Sequence, residues 1–242
     1  MLTRAQKKYL RSLQLKKFRQ RFGKFVAETP KVVEELMNSP LRIDEIFALT
    51  SYELKKQAAT LVSDKDLEMI SGLKVPNQVL AVVQIPPQAE IEWNVPMILA
   101  LDGVRDPGNL GTILRLAEWF GLRQVILSSD CAEPWNPKVV QSAMGSLFRM
   151  QLIERAIPDF LDEAKARSFA TVGAEMDGAK VAQFTVPDHT VLVMGSESHG
   201  LRPDVQTRVS HRVKIPKVDP NAPIDSLNVG VAAGILLSHL TR

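Results

Sequence analysis

Three short clusters of Gly, Asn, Ser and Glu, each placed after an apolar run, mark the second half of this chain. They are DGVRDPGNLGTILR (102–115), MGSESHGL (194–201) and IPKVDPNAPIDSLNVG (215–230). Their amide, hydroxyl, carboxylate and guanidinium groups can all bind a polar ligand, and glycines allow the backbone to approach it closely. Loops at the carboxyl ends of parallel strands gather into one crevice, where ligands bind. The clusters therefore predict one composite site.

Several familiar kinds of site do not fit these clusters. A P-loop requires Lys and Ser or Thr after its second glycine, whereas Gly103 and Gly108 are followed by Asn109 and Leu110. The G-x-G-x-x-G dinucleotide pattern is also absent. Glu197 occupies the position that a nucleophile elbow reserves for serine. The sequence thus disfavours phosphate hydrolysis, hydride transfer and acyl transfer.

The elements that must position the clusters alternate between strands and helices, which predicts an α/β fold with a mostly parallel C-terminal sheet. Strands are predicted at 42–49, 78–85, 97–101, 124–128, 169–174 and 191–195. Helices are predicted at 31–37, 51–62, 64–73, 111–121, 137–148, 160–168 and 227–240, with Ser51 and Asp64 as caps of the second and third. The proline-bearing stretch 86–95 is the predicted linker. We therefore predict a small α/β domain over 1–88 and a second domain over 95–242.

Charge is distributed unevenly along the chain. The formal net charge is +3, yet residues 1–25 carry nine Lys or Arg and no acid, so the remainder is acidic. A basic segment on an acidic protein indicates a polyanion as partner, although a solvated helix face would show the same charges. The predicted nucleic-acid contacts are Lys7, Lys8, Arg11, Lys16, Lys17, Arg19, Arg21 and Lys24. Tyr9, Phe18, Phe22 and Phe25 lie among them and would either stack on bases or anchor the segment to the core.

The remaining bulk properties place the protein in a broad class. Its single cysteine, Cys131, cannot form an internal disulfide, which favours a reducing cytoplasm. No apolar run reaches the length needed to span a bilayer, so no membrane contact is predicted. The four histidines and Cys131 have no metal-ligand spacing, so no metal is predicted.

The three clusters, taken in order, resemble the three motifs of the SpoU/TrmH-type RNA 2′-O-ribose methyltransferases of the SPOUT class. The matching patterns are N-L-G-x-x-x-R, G-S-E-x-x-G-L, and I-P followed by S-L-N-V. The resemblance covers about residues 95–242 and implies a deep trefoil knot, bound S-adenosylmethionine and a homodimer. The stretch KFRQRFGKFVAETPKVVEEL resembles the N-terminal RNA substrate-binding domain of many members, except that Thr29 replaces the usual glycine.

The resemblance also implies roles for individual residues. The polar catalytic set would be Asn109, Arg115, Glu197, Ser226 and Asn228. The cofactor would be held near Met194, Gly195, Ile215, Ser226 and Leu227, chiefly by backbone groups. Arg115 would serve either as general base or as a clamp for phosphate and developing alkoxide charge, since a neutral guanidinium is hardly ever seen. Trp119, Phe120 and Leu236 are the expected apolar contributors to the dimer interface.

Each of these residues also has an ordinary structural interpretation. Asn109 and Ser226 precede apolar helical patterns and could be helix caps. Arg115 could pair with Glu118 on a helix surface, and Glu197 could be a loop acid before a helix. The coincidence of all the motifs in order favours the methyltransferase interpretation.

The expected reaction is S-adenosylmethionine-dependent methylation of a ribose 2′-hydroxyl in structured RNA, with ribosomal RNA favoured over transfer RNA. The alternatives are a transfer RNA methyltransferase and a non-catalytic RNA-binding or ribosome-assembly factor of the same fold. One departure from the family bears on the cofactor site. Lys217 and Asp219 stand where Met and Gly are usual, and the loop 217–225 is about three residues longer.

Overall fold

The computed structural model describes residues 2–52, 58–219 and 221–241. Its helices are α1 (Arg4–Ser12), α2 (Lys16–Phe22), α3 (Pro30–Met37), α4 (Asp64–Ile70), α5 (Pro107–Trp119), α6 (Pro137–Ser142), α7 (Ile157–Ala166), α8 (Pro203–Gln206) and α9 (Val229–Leu240), with short 3₁₀ helices at Ser146–Phe148 and Val181–Gln183. Its strands are β1 (Lys24–Glu28), β2 (Ile43–Ala48), β3 (Thr60–Leu61), β4 (Val79–Gln84), β5 (Met97–Asp102), β6 (Gln124–Leu127), β7 (Gln151–Glu154), β8 (Ala170–Lys180), β9 (Thr190–Gly195) and β10 (His211–Lys214). The chain folds into two compact units. Unit 1 comprises residues 1–87 and 133–149, and unit 2 comprises residues 88–132 and 150–242.

Unit 1 is built on a four-stranded sheet in the order β1-β4-β2-β3. Strand β4 pairs antiparallel with β1 and β2, and β3 pairs parallel with β2. Successive side chains of a strand point to opposite faces. On β1, Val26 joins the core that includes α1 and α4, while the ring of Phe25 lies 4.7 Å from that of Trp135. Phe25 also stacks with Phe148, so the segment 133–149 covers the second face of this sheet.

Three local predictions for unit 1 need correction. Strand β1 was not predicted, because its short apolar run of Phe25, Val26 and Ala27 directly follows the basic segment. The helix predicted over 51–62 is wrong at its end, where Thr60 and Leu61 pair with β2, and at Ser51, which lies in a turn; residues 53–57 lie outside the described residues. Ser63, and not Asp64, caps α4, since its hydroxyl accepts the amide N–H of Asp66.

Thr29 adopts a backbone conformation that suits glycine. Its φ is 82°, in the region that a β-branched side chain adopts only with strain. The position joins β1 to α3, and the hydroxyl of Thr29 makes no capping hydrogen bond with the helix. The glycine that Thr29 replaces in the family pattern would have no Cβ to clash at this turn.

Unit 2 is built on a six-stranded sheet, all of whose strand pairs are parallel, in the order β10-β8-β9-β5-β6-β7. The strands predicted at 97–101, 124–128, 169–174 and 191–195 are confirmed. The short edge strands β7 and β10 were missed, because sequences such as HRVK carry no apolar run. The parallel order brings the loops after β5, β9 and β10 to one edge of the sheet.

Helices α5 and α9 pack against each other through small and apolar side chains. A Cβ on Gly230 would lie 3.1 Å from Cγ2 of Thr112, and one on Gly234 would lie 3.4 Å from the Cδ atoms of Leu116. Leu236 on α9 is 2% exposed, which corrects its expected role at a dimer surface, whereas Trp119 is 83% exposed. Within the described residues, no helix is long and apolar enough to span a membrane.

Replacing Thr29 with glycine is expected to stabilise the protein. Removing Cβ relieves the backbone strain at φ 82°, whereas the greater conformational entropy of glycine favours the unfolded state. We expect the strain relief to be the larger effect, so that the free energy of unfolding rises by about 1 kcal/mol. Urea unfolding of Thr29→Gly, followed by circular dichroism and tryptophan fluorescence, measures the change. Thr29→Ala is the control, because alanine keeps Cβ and should gain little. Equal stabilisation by alanine, or a loss with glycine, would contradict this account.

Candidate active site

Three polar side chains from the three predicted loops form one hydrogen-bonded chain. Nδ2 of Asn109 donates to Oε1 of Glu197 at 2.6 Å, and Nδ2 of Asn228 donates to Oδ1 of Asn109 at 2.9 Å. Residues 109 and 228 are 119 positions apart in the sequence. The structure therefore brings together three of the five side chains predicted as the catalytic set.

The beginnings of two helices explain how these amides are oriented. Asp106 caps α5 and accepts the amide N–H of Asn109, so the Asn109 side chain is free of the capping role that its position allowed. Asn228, and not Ser226, caps α9, since its Oδ1 accepts the amide N–H groups of Gly230 and Val231. With that oxygen engaged by the helix, the Asn228 amide nitrogen points to Asn109.

The loop that carries Glu197 is closed by two glycines. The backbones of Ser196 and Gly200 exchange both N–H···O bonds at 3.0 Å, and Gly200 has a φ of 67°. A Cβ on Gly195 would lie 2.0 Å from the carbonyl carbon of Gly200. The motif thus requires glycine at both positions, because the turn leaves no room for a side chain at Gly195.

A buried acid anchors this loop to the end of β5. The side chain of Asp102 is fully buried; it accepts the amide N–H of Arg202 at 2.8 Å and forms an ion pair with its guanidinium. Partial burial acts to lower the pKa of Arg202, but the Asp102 carboxylate raises it above its usual value. Arg202 also lies 3.8 Å from Asp130, whose pKa is lowered by its hydrogen bond from Ser128 and by nearby arginines. Asp102 was not predicted as a site residue, although an acid at the end of a buried strand is a usable signal.

A cavity of about 990 Å³ opens beside the chain of amides in unit 2. All five residues predicted to hold a cofactor line it, namely Met194, Gly195, Ile215, Ser226 and Leu227. Glu197 also lines the cavity, so the hydrogen-bonded chain reaches its wall. Leu201, Val229 and Leu236 supply apolar surface, and loop residues 217–219 and 224–225 complete the rim. Glu175 and Arg212, which were not predicted as site residues, belong to the same lining.

Arg115 occupies the exposed side of α5, six residues beyond Asn109. Its guanidinium makes none of the described hydrogen bonds, and Arg115 is not among the residues that line the cavity. Ser226 is exposed where the chain approaches α9. Both residues are therefore open to a ligand from solvent, in contrast to Asp102.

The basic residues predicted to contact RNA fall into two groups within unit 1. Four are engaged in the fold: Lys7 with Asp66, Arg11 with the carbonyl of Ser71, Arg19 with Glu133 and Lys24 with Asp44. Arg19 is only 2% exposed and also donates to the carbonyl of Leu13 at 2.9 Å, so it has no surface left for RNA. Lys8, Lys16, Lys17 and Arg21 are exposed. Among the described residues, no group of three or more His, Cys, Asp or Glu is arranged to hold a metal ion.

The aromatic residues of the same segment also separate into two groups. Phe25 is fully buried and is therefore an anchor. Phe22 is 39% exposed, stacks 6.2 Å from Phe18 and meets the edge of Tyr9 at 5.1 Å. Arg21 lies 5.7 Å from the Phe22 ring centre. The ring of Phe22 is therefore an exposed aromatic group among cations at the end of α2.

Comparison with known proteins identifies the family. Residues 96–238 match the SpoU rRNA Methylase family, and residues 5–81 match the MRM3-like substrate binding domain. The chain is 30% identical over 236 residues to the 23S rRNA (guanosine(2553)-2′-O)-methyltransferase RlmP of Bacillus subtilis, covering 95% of this chain and 93% of that protein. This chain belongs to the SpoU rRNA methylase family.

Solved structures of SpoU and TrmH proteins share this fold over nearly the whole chain. A putative RNA methyltransferase of the TrmH family from Porphyromonas gingivalis superposes with a TM-score of 0.89 at 34% identity, covering 99% of this chain and 98% of that one. An AdoMet-bound rRNA methyltransferase from Sinorhizobium meliloti gives 0.86 at 26% identity, covering 99% and 95%. The α/β fold with its parallel six-stranded sheet is therefore that of the SpoU family.

Removing the Asn109 amide should loosen two loops together. Asn109→Ala deletes both side-chain hydrogen bonds, each contributing about 1 kcal/mol, so amide exchange should accelerate by about tenfold in 196–200 and 225–228. Hydrogen exchange with mass spectrometry measures this effect. The control is Asn136→Ala, which removes the cap of α6 in unit 1. Acceleration in only one loop would show that Asn109 does not join them.

Proposed function

We propose that this protein methylates a ribose 2′-hydroxyl of structured RNA with S-adenosylmethionine as donor, and that its substrate is ribosomal RNA. The observation that carries the proposal is the Asn228–Asn109–Glu197 chain of hydrogen bonds at the wall of a cavity lined by all five predicted cofactor residues. Membership of the SpoU family supports the reaction, and the similarity to RlmP supports the substrate class.

The cavity fits the cofactor in size and in chemistry. Drug-sized ligands occupy pockets of about 300–1,000 Å³ with mostly apolar walls and a few placed polar groups. The lining combines apolar side chains such as Leu201 and Leu236 with backbone near Gly195 and Ile215 and with the acids Glu175 and Glu197. S-adenosylmethionine supplies an activated methyl group on a sulfonium, so transfer needs an in-line nucleophile and loss of its proton, with no metal.

The protein's own residues must orient the hydroxyl and stabilise its developing negative charge. A ribose hydroxyl is a very weak acid, so deprotonation and orientation are the demanding steps. Arg115 is exposed on α5 and can reach RNA from solvent, either as general base or as a fork that binds the adjacent phosphate and the alkoxide. Glu197 and Asn109 hold the loops around it, and Ser226 and Asn228 position the substrate or the loop before α9.

The N-terminal unit supplies the RNA-binding surface in this proposal. Lys8, Lys16, Lys17 and Arg21 are exposed, and the ring of Phe22 lies among them. Cations bind phosphates and an exposed ring stacks on an unpaired base, which is how proteins recognise single-stranded RNA loops. The match of residues 5–81 to a substrate-binding domain supports this assignment.

Four further features complete the proposal. The domain limits along the sequence are 1–88 and 95–242, with residues 133–149 of the second domain packed in the compact unit of the first, and the second domain carries a trefoil knot involving the segments before α9. The protein acts as a homodimer, to which the exposed Trp119 on α5 and Val231 on α9 contribute apolar area. It works in the cytoplasm, as one cysteine and a ribosomal substrate favour.

Methyl transfer itself provides the test. Purified protein is incubated with methyl-labelled S-adenosylmethionine and unmodified ribosomal or transfer RNA, and the label is mapped by alkali-resistant linkages. We expect label at one resistant linkage of ribosomal RNA. Label on a base would refute 2′-O transfer, label on transfer RNA alone would change the substrate, and cofactor binding without transfer to either would favour a non-catalytic binder.

In the same assay, Arg115→Lys should lower kcat by at least about a hundredfold, because lysine lacks the planar bidentate fork. Arg123→Lys is the control, since Arg123 is also exposed in unit 2. A pH–rate profile separates the two roles, because only the general base should give a rate that tracks its ionisation. A normal kcat in Arg115→Lys would remove Arg115 from the site.

Binding to a ribosomal RNA transcript tests the surface on unit 1. Replacing Lys16, Lys17 and Arg21 by alanine should weaken binding at least tenfold and reduce the slope of log Kd against log salt by about 2 to 3. Phe22→Ala should weaken it by about tenfold with the salt slope unchanged, because stacking releases no counterions. The charge-matched control replaces Lys31, Lys65 and Lys74, which are exposed elsewhere on unit 1. Equal losses in both triple variants would indicate net charge alone.

A further inference from the structure

Strand β8 leaves the sheet for five residues beside the cavity. Arg212 of β10 faces Gly173, but the next residue, Val213, faces Ala179, so residues 174–178 are extruded opposite a single step of β10. The return is tight, since a Cβ on Gly178 would lie 2.5 Å from the carbonyl carbon of Arg212. This excursion, residues 174–178, places Glu175, Met176 and Asp177 on the lining of the cavity.

Glu175 differs from the other acid of the excursion. Its side chain is 10% exposed, whereas that of Asp177 is 68% exposed. Nε of Arg212 lies 2.8 Å from Oε2 of Glu175, yet the angles do not make a hydrogen bond, and this buried oxygen has no hydrogen-bond partner among the described residues. Asp177 accepts a hydrogen bond from Nη1 of Arg212 at 2.9 Å. Glu175 is therefore a nearly buried acid on the wall of a ligand cavity, and its ion pair with Arg212 leaves the hydrogen-bonding capacity of the carboxylate unfilled.

The charge around Glu175 decides which group it can bind. Burial raises the pKa of its carboxyl, while Arg212 opposes that shift and favours the ionised form. A cationic ligand group would be attracted by Glu175 but repelled by the adjacent Arg212. Neutral hydroxyl groups meet no such repulsion and can donate to the Glu175 carboxylate, as ribose hydroxyls do to acidic residues in dinucleotide sites. The site therefore fits a vicinal diol better than an ammonium group.

We infer that Glu175 binds the ribose hydroxyls of the adenosyl group of the cofactor, and that Arg212 positions its carboxylate. This assignment rests on the proposed function, which places S-adenosylmethionine in the cavity. The two glutamates that line the cavity then have different roles. Glu197 belongs to the hydrogen-bonded chain with Asn109, and Glu175 recognises the sugar of the donor.

Direct binding measurements test this inference without an activity assay. Isothermal titration calorimetry compares S-adenosylhomocysteine with 5′-methylthioadenosine, which keeps the adenosine but lacks the amino-acid portion. In Glu175→Gln both ligands should bind about tenfold or more weakly, because a charged acceptor is replaced by a neutral amide. Asp188→Asn is the matched control; it removes an exposed acid of unit 2 that lies outside the cavity lining, and both ligands should bind within about threefold of wild type.

Deoxy ligands add a second criterion. The 2′-deoxy and 3′-deoxy forms of 5′-methylthioadenosine should bind the wild type weakly and lose little more in Glu175→Gln, because the variant and the ligand remove the same contact. Thermal unfolding of Glu175→Gln should match the wild type, which excludes a folding defect.

The other outcomes are distinct. Loss of affinity for S-adenosylhomocysteine alone would assign Glu175 to the amino-acid portion and overturn the inference. Equal losses in Glu175→Gln and Asp188→Asn, or no loss in Glu175→Gln, would also overturn it. Failure of the wild type to bind S-adenosylhomocysteine would refute the proposed function and, with it, this assignment.

Discussion

The active site depends on one side-chain amide that is both donor and acceptor. Asn109 donates to Glu197 and accepts from Asn228, so a single group joins loops that follow three different strands. An aspartate would lack the donor, and an apolar residue would lack both functions. The donor-to-acceptor direction of these hydrogen bonds is fixed at Asn228. Its side-chain oxygen accepts the first N–H groups of α9, so only its amide nitrogen is left to donate to Asn109. A helix cap thus determines how a carboxylate more than thirty residues earlier is presented.

A second network of hydrogen bonds and an ion pair, centred on Asp102, holds the loops that carry this chain. Asp102 ends β5 and lies opposite Gly195 in the ladder with β9, and it holds the backbone and the guanidinium of Arg202. The loop between Gly195 and Arg202 is therefore attached at both ends. The Ser128 hydroxyl accepts the amide N–H of Gly103 and donates to Asp130, which ties in the loop after β6. Rigid strand ends, and not the loops themselves, determine the position of Glu197.

Much of this arrangement could be predicted from residue order. Apolar, β-branched runs identified the buried strands, and the rule that parallel strands bring distant loops to one edge predicted one composite site. The individual residues Asn109, Glu197 and Asn228 came from the resemblance of the ordered motifs to those of the family. The edge strands β7 and β10 were not predicted, because a strand that is buried on one side only has no continuous apolar run. Strand β1 was hidden by the basic residues around it. The sequence also did not show which basic residues are buried. Arg19 and Arg21 have similar sequence surroundings, and only tertiary packing buries Arg19. The position of Glu175 on the cavity wall depends on an interruption of the β8–β10 pairing, and no periodicity in the sequence predicts that interruption.

The segment 133–149 has a consequence for how such proteins can diversify. It lies inside the stretch that matches the SpoU family, yet it belongs to the compact unit formed by residues 1–87. The chain therefore crosses between the units three times, and the two units are not separable cassettes. Recombination at the 87/88 junction would set a foreign Phe25 equivalent against the native Trp135 and Phe148. Exchange of the N-terminal unit between relatives is thus constrained to those whose 133–149 segments are compatible, and substitutions at these three positions should be inherited together.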